Sequence, residues 1–162
     1  EIREFSCLAC AREKGEINLG NIVKSAHFDA HQDYEVPIPG FIIISSRRHF
    51  KSVDEFTEKE QKDFIKFLFR LRSAMRKVLG IQVVHIFHRE DTAHHFHICL
   101  MPRYGWMKKF GEKIESVRPI VEFAKKNLKT KNNINKVEKT TLKLKQFFQD
   151  NKNLKLIINL NL

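Results

Sequence analysis

The feature that most constrains the fold is an alternating stretch at residues 93–103, AHHFHICLMPR. Strand side chains project alternately to two faces, and here one set is mostly apolar while the other is mostly polar. The apolar set predicts a side that faces the core, so the opposite side presents two imidazoles and a thiol at intervals of roughly 6–7 Å. The polar side carries His95, His97, Cys99 and Met101, and the core side carries His94, Phe96, Ile98 and Leu100.

Three segments before this stretch predict the rest of a sheet and one long helix. Residues 27–39 have the pattern of strand and loop, 41–44 that of a buried central strand, and 82–88 that of a strand forming a hairpin with the histidine strand. Between them, Thr57 and Glu60 form the capping box of a helix that Gly80 ends. Its apolar face comprises Phe64, Phe67, Leu68, Leu71, Met75, Val78 and Leu79.

The chain changes character after residue 107. Apolar residues spaced by three and four predict two helices, over about 114–124 and 134–148, joined around 129–133. Residues 154–162 alternate Asn with Ile and Leu, which fits a late strand or a tail. We therefore expect a domain at 1–107 and a basic helical extension at 108–162. The fold class is α+β, an antiparallel sheet with a long helix on one side and a C-terminal helical extension.

The formal net charge is +11, and Lys and Arg crowd residues 103–155. A basic surface attracts phosphates of nucleotides, nucleic acid or lipid, but a solvated helical face gives the same charge pattern. No apolar run approaches the roughly 20 residues that cross a bilayer, and residues 1–5 show no signal-peptide pattern. We expect a soluble, cytoplasmic protein with no membrane partner.

The histidine strand suggests covalent chemistry at phosphorus. Imidazole is a competent nucleophile near neutral pH because much of it is unprotonated, and a neighbouring His can orient it or bind metal. The alternative is a His-rich strand whose rings are only hydrogen-bonded or solvated. Two histidines on one face, beside a Cys and before Pro102-Arg103, favour the catalytic interpretation.

These residues resemble the histidine-triad (HIT) superfamily of nucleotide hydrolases and transferases, whose motif His-φ-His-φ-His-φ-φ fits residues 95–101. Three more features occur in family order: Cys7-x-x-Cys10 near the start, the run at 39–44 followed by Arg48-His49, and the long helix before the motif. The resemblance covers about residues 5–106 and points to the bacterial zinc-carrying branch.

The resemblance implies a role for each residue of the motif. His97, at the middle position, would attack the α-phosphorus and form a nucleotidyl-histidine, which water then hydrolyses. His95 would position the site or hold metal, and Cys99 replaces the third His and would assist departure of the leaving group poorly. The substrate contacts implied or suggested are Phe41, which stands where many members have His, Ile43, His88 and Arg103.

A zinc site is the cofactor that we expect, and it would be structural. Zinc prefers four sulfur and nitrogen ligands, and in a cytosolic protein C-x-x-C indicates metal or redox work rather than a structural disulfide. The resemblance adds His49 and either His94 or His95 to Cys7 and Cys10, with His95 favoured by motif position. The alternative is two ordinary thiols.

Three functions compete. The first is hydrolysis or nucleotidyl transfer at the α-phosphate of a dinucleoside polyphosphate, such as diadenosine tetraphosphate, or of a nucleoside phosphoramidate. The second is a catalytically weak nucleotide-binding or regulatory protein, and the third, less favoured, is a nucleic-acid partner. His27 and His31 flank an acidic stretch and are candidates for polar contacts. The resemblance also implies a homodimer whose sheets join edge to edge.

Overall fold

The structure is a computed structural model that describes residues 7–91 and 95–160. Strands and a long helix come first along this part of the chain, and two helices follow. The strands are β1 (Asn21–Lys24), β2 (Phe28–Gln32), β3 (Ile42–Ser46), β4 (Val84–His88) and β5 (His97–Pro102); the α-helices are α1 (Leu8–Glu13), α2 (Glu58–Leu79), α3 (Val117–Asn127) and α4 (Lys131–Leu160). Short 3₁₀ segments occupy Val53–Glu55, Gly105–Phe110 and Ile114–Ser116.

The five strands form one antiparallel sheet in the order β1-β2-β3-β5-β4. In the β3–β5 pair, Ile43 lies opposite Cys99 and Ser45 lies opposite His97. Because directly opposed residues share a face, these four side chains project from the same side of the sheet. The alternation predicted for the histidine strand is therefore confirmed, as is the α+β fold class.

Helix α2 begins and ends where the sequence predicts. The Thr57 hydroxyl accepts from the Glu60 N–H, while the Glu60 carboxylate accepts from the Thr57 N–H at 2.8 Å. Gly80 ends the helix with φ of 68°, a left-handed conformation that an L side chain adopts only with strain. These caps supply partners for backbone groups that a helix leaves unpaired at its ends.

The sheet is packed on both faces. On the first face α2 and α4 cover a core that includes Phe28, Phe67, Phe96 and Leu144. A second cluster on the opposite face includes Phe41, Cys99, Met101, Met107 and Ile120, so α3 and the 105–110 turn cover this end of the sheet. The unfilled part of the second face, around Ser45 and His97, is where a ligand can approach.

Three parts of the chain differ from the sequence-based expectations. Helix α1 and strand β1 lie in a region for which no element was predicted, since both are short and have little periodicity. The predicted late strand or tail at 154–162 is wrong over its described part, because α4 continues to Leu160. Extending an existing helix costs far less than starting one, and no Gly or Pro follows Pro119.

Neither C-terminal helix stands apart from the sheet, since α4 contributes Leu144 and Phe148 to the first core and α3 contributes Ile120 and Ala124 to the second. The domain division between 107 and 108 stays a prediction. Within the described ranges, none of the helices is both long enough and apolar enough to span a membrane.

Candidate active site and metal centre

Four potential metal ligands lie close together at the start of helix α1. Cys7 caps the start of this helix and Cys10 lies in its first turn, so the i,i+3 spacing brings both thiols to one side. His49 follows β3 and His95 precedes β5, two strands that pair with each other. We call this group the Cys₂His₂ cluster: Cys7, Cys10, His49 and His95.

The cluster has the dimensions of a tetrahedral zinc site. Its four donor atoms lie within 4.8 Å of one another. The His95 Nδ1 lies 3.4 Å from the Cys7 Sγ, 3.6 Å from the Cys10 Sγ and 3.2 Å from the His49 Nδ1, and the Cys10 Sγ lies 3.2 Å from the His49 Nδ1. Zinc–ligand bonds of about 2.0–2.3 Å imply donor separations of about 3.3–3.8 Å. The residues present therefore fit zinc.

His95 is prepared for ligation by its surroundings. Its Nε2–H donates to the carbonyl oxygen of Ser46 at 2.6 Å, which leaves the Nδ1 lone pair directed at the cluster. Such a contact behind a ligand fixes the tautomer and the ring orientation. Burial lowers the pKa of His95, which favours the neutral ring that a metal requires. His94, the other candidate ligand, lies outside the described residues.

A cleft of about 590 Å³ opens next to this cluster. Helix α1 and the segment after it form one wall, β2 and the loop that follows form another, and β3 and β5 form the floor. Its lining residues are Cys7, Leu8, Ala9, Arg12, Ile17, His31, Gln32, Asp33, Tyr34, Glu35, Ile43, Ser45, His95 and His97. The size and the mixture of apolar walls with a few polar groups are typical of a small-molecule site.

His97 is half-buried on the floor of the cleft and is oriented by the backbone. Its Nδ1–H donates to the carbonyl oxygen of His95 at 3.1 Å. With the Nδ1 proton engaged in this way, the lone pair resides on Nε2, which is the nitrogen left for an incoming electrophile. The predicted nucleophile therefore lies in the cleft, and the carbonyl that orients it belongs to a residue of the Cys₂His₂ cluster.

Of the predicted substrate contacts, Ile43 lines the cleft, as does His31, which was a candidate for polar contacts. Phe41 is 3% exposed and packs in the second core, with its ring centroid 6.4 Å from that of Phe87. Cys99 is 8% exposed in the same core, and burial raises the pKa of its thiol to about 12. The third triad position thus holds a neutral thiol that does not border the cleft.

The structure does not bring His88 or Arg103 to the cleft. His88 lies opposite Ile98 and projects toward the first core, where its ring centroid is 4.9 Å from that of Phe96. Its Nδ1–H donates to the carbonyl oxygen of His97 at 2.6 Å. Arg103 donates to the Ser116 hydroxyl and to the Gly111 carbonyl oxygen, so it fastens the C-terminal segment to the sheet.

Sequence reasoning missed three polar groups in or behind the cleft wall. Arg12 lines the cleft and donates to the Leu19 carbonyl oxygen at 2.8 Å, and burial lowers the pKa of its guanidinium. Asp33 turns the loop after β2 by accepting the Glu35 N–H at 2.8 Å. Asp29 is 6% exposed in β2, all five residues of which are buried. No local sequence pattern indicates these positions, because their burial depends on how α1 and the strands assemble.

No protein-family profile matches the chain, but individual proteins do. A HIT-like protein of Methanocaldococcus jannaschii is 26% identical over 114 residues, covering 65% of this chain and 88% of that relative. The protein named hit of Bacillus subtilis is 22% identical over 111 residues, covering 65% and 77%.

Solved structures give the same result at the level of the fold. A zinc-bound histidine triad family protein from Mycobacterium smegmatis aligns with a TM-score of 0.62 at 15% identity, covering 90% of this chain and 97% of that one. A HIT family member from Bacillus subtilis aligns with a TM-score of 0.59 at 21% identity, covering 78% and 99%. The resemblance inferred from the motif is confirmed: this chain is similar in sequence to HIT-like proteins and has the histidine-triad fold.

Proposed function

We propose that this protein hydrolyses or transfers nucleotides at the α-phosphate through a covalent nucleotidyl-His97 intermediate. The observation that carries the proposal is the orientation of His97. Its Nδ1–H is held by the His95 carbonyl oxygen, so the Nε2 lone pair remains available in a cleft large enough for a nucleotide. A nucleophile aligned before substrate arrives needs little reorganisation in the transition state.

The reaction proceeds in two balanced steps. The His97 Nε2 forms a bond to the α-phosphorus while the bond from that phosphorus to the leaving group breaks, and the leaving group departs with the electron pair. Water then attacks the same phosphorus, the P–N bond breaks, and the nucleoside monophosphate leaves as the imidazole is regenerated. The proton lost by the water passes to solvent.

The protonation state and the position of Cys99 indicate which kind of leaving group departs faster. A buried thiol with a pKa of about 12 neither becomes a thiolate nor gives up its proton readily, and it does not border the cleft. A phosphate or polyphosphate departs as a stable anion at neutral pH, whereas an amine must acquire a proton as it leaves. We therefore expect dinucleoside polyphosphates to be cleaved faster than phosphoramidates.

Zinc, held by the Cys₂His₂ cluster, has a structural role in this proposal. An ion held there would supply folding free energy and fix the four side chains relative to one another. His95 gives this role a consequence for catalysis, because its side chain belongs to the cluster while its carbonyl oxygen orients His97. The fold neighbour from M. smegmatis is a zinc-bound histidine triad family protein, which supports the assignment.

A second candidate function is nucleotide binding with little turnover. Two observations favour it: Cys99 is out of reach of the cleft, and Phe41, at a position where the resemblance implies His, is buried in the second core. Such a protein binds a nucleoside monophosphate but releases no product from a longer nucleotide. Product formation separates the two functions.

We also propose that the protein forms a homodimer through β4 and α2. Strand β4 is at one edge of the sheet, so its outer backbone groups are available for pairing. Apolar side chains of both elements are exposed: Ile86 of β4 to 46%, and Ile65 and Phe69 of α2 to 64% and 73%. A second copy applied along this edge covers the apolar side chains and continues the sheet.

The test of the enzymatic proposal is a product assay on wild type and on His97→Ala. AMP release is followed from diadenosine tetraphosphate and, separately, from an adenosine phosphoramidate. We expect AMP from both, more rapidly from the tetraphosphate, and a loss of at least about 10³-fold without the nucleophile. The matched control is His85→Ala on β4, outside the cleft, with unchanged rates.

A covalent nucleotidyl-protein, trapped by acid quench and mapped by mass spectrometry, identifies the nucleophile directly. We expect the adduct on residue 97. Product formation that survives in His97→Ala contradicts the covalent mechanism. AMP binding without any product from the wild type supports the second candidate function instead.

A further inference from the structure

Two buried polar residues of β2, Asp29 and His31, leave hydrogen-bonding atoms unpaired at the cleft; His31 lines the cleft, and Asp29 precedes it by two residues on the same strand. Both residues are 6% exposed. Among the described residues, neither the Asp29 Oδ1 nor the His31 Nδ1 has a hydrogen-bond partner, and the two atoms lie 3.6 Å apart. Burying such groups costs free energy that an apolar pair would not. Because the two atoms face each other, they hold the ring of His31 in one orientation and leave its Nε2 as the nitrogen for a ligand.

The position of the pair relative to His97 determines what part of a ligand it meets. Across the sheet, Asp29 lies opposite Ser45, which lies opposite His97; His31 lies opposite Ile43 in the next row. His31 is therefore two strands and one row away from the nucleophile, or about 11–12 Å between Cα atoms. At that distance His31 would meet the end of a nucleotide opposite its phosphates, if the α-phosphate lies at His97.

The surroundings of His31 favour a base over a phosphate. Leu8, Ile17 and Ile43 supply apolar surface to the cleft, which suits the faces of a planar ring. The carboxylates of Asp29 and Asp33 outnumber the guanidinium of Arg12 at this end, so the local charge does not favour a phosphate. A neutral heterocycle with polar edges fits both conditions.

The Asp29 carboxylate also sets which hydrogen bond His31 can make. An anion 3.6 Å from Nδ1 favours the tautomer with the proton on Nδ1. The Nε2 of His31 then carries a lone pair and accepts from an N–H of the ligand. On the proposed function given above, we infer that His31, positioned by Asp29, selects nucleotides whose purine carries an exocyclic amine.

The test is equilibrium binding of matched nucleotide pairs, measured by calorimetry. AMP is compared with purine riboside 5′-monophosphate, and GMP with IMP; each pair differs by one exocyclic amine. We expect the aminated member of one pair to bind about ten- to a hundred-fold more tightly to the wild type. His31→Phe brings that ratio close to one, and His31→Gln, which keeps an acceptor, restores part of it.

Two further measurements separate recognition from a structural role. The ¹⁵N shifts of the His31 ring report its tautomer, and we expect the Nδ1–H form in the wild type and a loss of that preference in Asp29→Asn. His27→Phe, just before β2, is the matched control and leaves the binding ratio unchanged. Thermal unfolding of every variant identifies any that fail to fold.

Each outcome has a distinct meaning. A folded His31→Phe protein with an unchanged ratio overturns the inference while leaving the proposed function intact. Tighter binding of IMP than of AMP, abolished in His31→Phe, shows a donor in place of an acceptor and also overturns it. If no nucleotide binds to the wild type, the proposed function fails and the inference fails with it.

Discussion

His95 links the two halves of the site at the scale of a single residue. Its Nδ1 belongs to the Cys₂His₂ cluster, its Nε2–H donates to Ser46, and its carbonyl oxygen holds the Nδ1–H of His97. A change that disturbs the metal ligands is therefore transmitted to the nucleophile over two residues of backbone. Loss of metal is expected to reduce turnover even though no bond is made at the metal.

The ligand assignment gives a prediction with a control inside the same chain. Cys10→Ser removes one thiolate from the cluster, and weaker ligation of this kind costs about 10–100-fold or more in zinc affinity. Zinc content falls below one per chain in mass spectrometry of metals, and the thermal midpoint falls with it. Cys99→Ser, a cysteine outside the cluster, retains its zinc; equal zinc content in the two variants would contradict the assignment.

The motif residues could be predicted from sequence because their spacing is local. C-x-x-C is a short-range pattern, and alternation along one strand places His95 and His97 on one face. Arg12 could not be predicted as a cleft residue, nor Asp29 as a charge near it, since their proximity depends on the long-range arrangement of α1 and β2. His88 and Arg103 were predicted site residues, but register and the C-terminal segment direct them elsewhere.

At the scale of elements, helix α2 is positioned by charge as well as by its apolar face. The Arg48 guanidinium donates to both Glu60 oxygens at 3.0 Å, and these bonds with the cap lower the pKa of Glu60 to about 2. Glu60 thereby attaches the start of α2 to the segment that carries His49. Through this contact, α2 helps to fix the position of His49 in the Cys₂His₂ cluster.

Glu60→Gln is expected to lower the free energy of unfolding by about 2 kcal/mol at neutral pH. The folded pKa lies below the ordinary value of 4.5, so the stabilisation is complete above about pH 5 and is lost as pH falls toward 2. The difference in free energy of unfolding between wild type and Glu60→Gln should therefore be smaller at pH 3 than at pH 7. Urea unfolding of metal-free protein at pH 7, 5 and 3 measures it.

The control for this prediction is Glu122→Gln on α3. Glu122 pairs with Arg118 on the helix surface, where the two side chains are 64% and 89% exposed. An exposed i,i+4 pair contributes only about 0.3–0.5 kcal/mol. Two results would contradict the role given to Glu60. One is equal destabilisation by the two substitutions; the other is a loss of unfolding free energy in Glu60→Gln that does not change with pH.

Elements with strong local signals were predictable, and those without them were not. Helix α2 has a capping box, a periodic face and a terminal Gly, so its bounds follow from sequence. Helix α1 has six residues and β1 has four, and each is stabilised by what packs on it. The end of α4 was wrongly predicted as a strand or tail, because alternating Asn and Leu are compatible with a strand as well as with a helix.

At the scale of the whole molecule, the open edge of the sheet decides the assembly. Phe69 is 73% exposed on α2, and a charge there opposes burial against a second copy. Phe69→Glu should convert a dimer to a monomer in sedimentation velocity at micromolar concentration. Leu142→Glu, a 63% exposed position on α4, should leave the dimer intact.

Comparison of the two variants distinguishes a specific interface from nonspecific hydrophobic association. Both replace an exposed apolar side chain by a carboxylate, so each changes the net charge and the surface hydropathy in the same way. Phe69 lies on α2, which the proposed interface includes, whereas Leu142 lies on α4, which it does not; the outer backbone groups of β4 give the association its direction. A wild type that sediments as a monomer, or a dimer that survives Phe69→Glu, would rule out edge-to-edge assembly through β4. Because the Cys₂His₂ cluster is formed by α1 and the segments next to β3 and β5, and includes no residue of β4 or α2, a monomeric Phe69→Glu protein should keep its zinc.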